Sequence, residues 1–111
     1  MSYSRAAQCF STAIDILMDP HPNGEVVDLA RAMIECGEAL SSLRDVKLDP
    51  EAAEMVDKLN SLLSYSHLQV PPEKGGFEVK AEQLGETDRI ELSQLVKQMY
   101  DLCSEANRQG K

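Results

Sequence analysis

Glu35 and Glu38 stand three residues apart in one run of the chain, and Glu51, Glu54 and Asp57 repeat that spacing in another. On a helix, this spacing sets carboxylates side by side on one face. Left in water, such a face repels itself by roughly a few tenths of a kcal/mol per pair, and it offers a cationic surface a place to dock. The other reactive side chains converge on nothing. Cys9, Cys36 and Cys103 are odd in number, widely spaced and without a CxxC or Cys/His cluster. That pattern encodes neither a disulfide framework nor a zinc site, and reduced, buried, inert thiols are expected. His21 and His67 fall at or beyond helix ends, outside any metal-ligand spacing, and are expected to be solvated loop residues. Gly75-Gly76 is not followed by Lys-Ser or Lys-Thr, so no phosphate cradle is expected. The reading is of a protein with no catalytic residues, no metal ligands and no cofactor, and not of an enzyme.

The carboxylates dominate the charge balance. Nineteen acids against eleven bases leave a net charge of −8, the wrong sign for direct binding of nucleic acid or an anionic membrane. Residues 25–57 hold nine of those acids against only Arg31, Arg44 and Lys47, so three-quarters of the excess sits in a third of the chain.

Elements must position these groups, and the composition favours helices. Of 111 residues, 42% are hydrophobic but only 5% aromatic, and six glycines with five prolines are too few for a turn-rich sandwich. A chain of this length is expected to form a single domain over residues 1–111. Four segments carry apolar residues at spacings of three and four, the mark of a helix that buries one stripe. They are expected at about 3–18, 24–45, 50–67 and 88–108, arranged as an all-α, antiparallel four-helix up-down bundle. Asp19-Pro20-His21-Pro22 stops the first, and Asn23 is placed to cap the second. Gly37 costs the second helix about 1 kcal/mol of propensity relative to Ala, which the close approach of a neighbouring backbone would explain.

Asp49 as N-cap with Pro50 at the first helical position opens the third helix. A short connection from Arg44 to Leu48 should make it the antiparallel neighbour of the second. The fourth is read from Thr87 or Asp88, with Glu91 in capping-box register. Its Leu92, Leu95, Met99 and Leu102, with Val96 and Cys103 adding a second row, offer more apolar surface than one stripe needs. Between the third and fourth helices, residues 69–86 form a long loop holding Pro71-Pro72, Gly75-Gly76 and one large aromatic, Phe77. It is read as a crossover along the bundle, with a short strand conceivable at Phe77 to Lys80, or as a partner-binding loop.

In the first helix, Ala6, Phe10 and Ala13, followed by Asp19-Pro20, resemble the second helix of a tetratricopeptide repeat, where Ala, an aromatic and Ala recur before a proline. The resemblance covers residues 3–20. The proline falls two residues late, and Ala32, Cys36 and Ala39 repeat the spacing 26 residues on, against roughly 34 for the repeat. Small residues at a helix contact give the same pattern, and no family is assigned.

These features lead to a small acidic, non-catalytic protein that binds and masks a dedicated, basic protein partner, in the manner of an immunity protein, antitoxin, secretion chaperone or anti-activator. Glu35, Glu38, Glu51, Glu54 and Asp57 are the candidate contact residues, with Phe77 as a loop anchor. One alternative makes the bundle half of a homodimer or part of a larger helical assembly. Another places a small-ligand pocket between the helices near the long loop. No signal peptide is read at the N-terminus, no apolar run reaches the ~18 residues of a membrane span, and Ser2 stands where myristoylation needs glycine. A cytoplasmic location is the expectation.

Overall fold

The structure, a computed structural model, describes residues 3–18, 25–44, 46–64 and 76–110. The described residues are all-α, with five helices: α1 Ser4–Met18, α2 Glu25–Ser42, α3 Pro50–Leu63, α4 Gly76–Gln83 and α5 Glu86–Arg108. His21, Asn23, His67 and the Pro71-Pro72 step lie outside the described residues.

Small side chains set the closest pairing. Ala6, Cys9 and Ala13 of α1 and Ala32, Cys36 and Ala39 of α2 are all buried, and these two helices form the most extensive interface among the described residues. Side chains of this size at spacings of three and four let two helices approach closely, which accounts for the Ala and Phe10 pattern of α1 through packing. The other side of α1 packs on α5.

Helix α5 buries most of its two apolar rows and leaves Leu102 half-buried. Leu92, Leu95, Val96, Met99 and Cys103 are all buried, because α1 and α3 both pack against this helix. Most of the apolar surplus of this helix is thus covered within the chain. The helix starts at Glu86, behind an extended Gly85 that makes no side-chain cap.

Helix α3 begins as its sequence demands. Asp49 is extended (φ −73°, ψ 167°), and its carboxylate accepts a hydrogen bond from the Ala52 N–H at 2.8 Å. The helix ends at Leu63, short of the expected Ser66 or His67, where Ser64 turns extended and donates its N–H to the Asn60 carbonyl.

Two expectations are corrected. The bundle has a fifth helix: residues 76–83 of the supposed loop, including the supposed strand at Phe77 to Lys80, are helical and pack on α2. Despite their short connection, α2 and α3 touch only sparingly. Helix α3, whose buried residues are Ala52, Leu59 and Leu63, packs mainly on α5, while α4 takes a flank of α2. The two helices joined by residues 43–49 therefore diverge and leave an open groove between them.

Candidate functional site

Glu35 and Glu38 of α2 stand beside α1. Asp28 is buried and pairs with Arg31 at 3.3 Å, which removes it from any docking face. Glu38 pairs with Arg5 of α1 at 3.3 Å, and half-buried Glu35 takes a hydrogen bond from the Cys9 thiol. The acids of α3 behave differently. Glu51, Glu54 and Asp57 are all exposed, and among the described residues only Glu54 has a cation beside it, Lys58 at 3.6 Å.

The five candidate acids therefore form two groups. On α2 the groove is lined by Gly37, Leu40 and Ser41, with Arg44 in the turn beyond its end, whereas Glu35 and Glu38 border α1. Glu51, Glu54 and Asp57 follow one another at three-residue steps around the solvent side of α3. The structure brings these three together and leaves Glu35 and Glu38 apart from them.

Phe77, expected in a loop, is helical. It lies in the first turn of α4, half-buried, and lines both the α2–α3 groove and a smaller hollow with Val27, Ala30 and Ile34. Sequence reasoning allowed a pocket between the helices near the long loop but did not give its lining, because Leu40 and Val56 sit on apolar stripes and read as core. The divergence of α2 and α3 leaves both half-buried on a common space.

The thiols are set up for inertness. All three cysteines are free and buried. Burial pushes Cys36 up to about 12 and Cys103 up to about 11 from the usual thiol value near 9, with the Glu35 carboxylate adding to the effect at Cys36. Cys9 is raised as well, by burial first, against the opposing pull of Arg5. Among the described residues no cluster of His, Cys, Asp or Glu is arranged to hold a metal, and no helix is long and apolar enough to cross a membrane.

Compared with protein-family models, with curated proteins and with solved structures, the chain matches none. The functional argument therefore rests on the site itself.

Proposed function

We propose that this chain is a non-catalytic cytoplasmic protein that binds a basic protein partner and masks it, with the outer face of α3 as its docking surface. What carries the reading is the shared exposure of Glu51, Glu54 and Asp57 around the solvent side of one capped helix, in a region that holds most of the net negative charge. A potential of this kind speeds encounter with a cationic surface and fixes register more than it deepens affinity. Glu35 and Glu38 act in second place, since Glu38 must exchange Arg5 for a cation of the partner. An immunity protein, antitoxin, secretion chaperone or anti-activator works by occupying its partner in this way.

The test is affinity capture from the native cell extract at low and high salt, with the wild type and with a Glu51→Lys, Glu54→Lys, Asp57→Lys variant. The variant is expected to stay folded, to capture less of the partner at low salt and to lose most of its salt dependence. Equal capture by both proteins at both salt concentrations overturns the acidic-face reading.

A further inference from the structure

The groove between α2 and α3 has a chemistry of its own. Leu40, Leu43, Val46, Leu48, Val56 and Phe77 give this open groove an apolar lining, and its volume is about 780 Å³. That falls within the roughly 300–1,000 Å³ of small-molecule sites. In a chain with nineteen acids, no aspartate or glutamate is among its described lining residues, and its charged lining side chain is Arg44. Arg5, Arg31, Lys58 and Arg108 each pair with a carboxylate, whereas Arg44 is exposed and forms no ion pair among the described residues. In sequence, Lys47 stands between the lining residues Val46 and Leu48, and Asp45, outside the described residues, between Arg44 and Val46. Ser41 and Asn60 add a hydroxyl and an amide to the walls.

An apolar trough with a free guanidinium and no acid among its described lining residues selects a ligand that is apolar along its length and negative at one end. The connection between the two helices contributes Val46 and Leu48 to the lining. A single alkyl chain can lie within the groove. We propose that this groove binds a single-chain aliphatic carboxylate, with the alkyl chain against Leu40, Val56 and Phe77 and the carboxylate against Arg44. The inference goes beyond the masking role and does not depend on the α3 acids.

The experiment titrates the full chain with decanoate, 1-decanol and decyltrimethylammonium, each below its micelle or solubility limit, at neutral pH and low salt. Methyl NMR reads the site. Saturable shifts are expected at Leu40, Val56 and Leu63, with decanoate binding about fivefold more tightly than the alcohol and the cation binding most weakly. Octanoate should bind more weakly than decanoate, by up to about fourfold for each methylene removed.

Arg44→Gln, a change at an exposed position, should abolish the preference for decanoate over decanol and leave decanol binding intact. Ser41→Trp, also at an exposed position, should fill the groove and weaken all three probes; circular dichroism confirms that both variants are folded. Shifts that do not saturate, shifts centred on the exposed Met18 and Ile90, decanoate no tighter than decanol, or a headgroup preference that survives Arg44→Gln would each overturn the proposal.

Discussion

A Cβ atom built on Gly37 would stand 3.4 Å from Cζ of Phe77, so the phenyl ring rests on a position of α2 that has no side chain. The sequence suggested a close approach at this glycine and assigned it to a neighbouring backbone. The structure assigns it to a ring, and that ring docks the short helix α4.

The distance decides what substitutions at Gly37 do. At 3.4 Å a methyl group makes contact without a clash, while alanine recovers helix propensity worth about 0.5–1 kcal/mol. Gly37→Ala is therefore expected to raise the urea midpoint slightly. Gly37→Leu must displace Phe77, and it should lower both the midpoint and the helical circular dichroism signal.

Phe77→Ala removes the same contact from the other side. Because the ring is half-buried, the expected loss is about 1–2 kcal/mol, below the full cost of deleting a core phenylalanine. An eight-residue helix does not hold itself together in water, so amide hydrogen exchange should accelerate across Gly76–Gln83 more than across α1 or α5. Uniform acceleration through the whole chain would mean that α4 is not a separately docked unit.

Asp49→Ala tests the cap of α3. Losing the 2.8 Å bond to the Ala52 N–H should cost about 1 kcal/mol, and Asp49→Ser should restore most of it. If alanine and serine prove equivalent by chemical denaturation, the carboxylate does no capping in solution.

The raised thiols give stability a pH dependence of definite sign. Folded Cys36 and Cys103 keep their protons up to about 12 and about 11, while the unfolded chain loses them near 9. Their contribution is complete below pH 9 and is lost as pH rises toward those values, at no more than about 1.4 kcal/mol per pH unit for each thiol. Urea midpoints measured from pH 8 to 11 should fall above pH 9, and less steeply in Cys36→Ala. At pH 8 the folded protein should resist thiol reagents that modify it rapidly in denaturant.

Local signals were enough wherever one residue set one backbone feature. Asp49-Pro50 marked the start of α3, and the three-and-four spacing of α1 and α5 placed them within a few residues. The helix α4 was not legible, because Phe77, Val79 and Ala81 alternate like a strand while Phe77, Ala81 and Leu84 step like a helix. Eight residues cannot arbitrate between those periods, and packing on α2 does so. The candidate site divides in the same way. The acid spacing on α3 was visible locally, but the partner of Glu38 is Arg5, 33 residues earlier, and nothing near Glu38 in sequence announces it. Arg44 stayed unremarked because its significance lies in the divergence of two helices, which each helix's contacts with others determine.

The two-sided packing of α1 sets an order of synthesis. Its α2 wall leaves the ribosome soon after it does, but its α5 wall begins only at Glu86, when most of the chain has been made. Until then Phe10 and its neighbours remain half-covered, and closing the interface must overcome the entropy of a long intervening loop. A nascent chain stalled before α5 would therefore present an unfinished core, open to chaperones, whatever the finished protein goes on to bind.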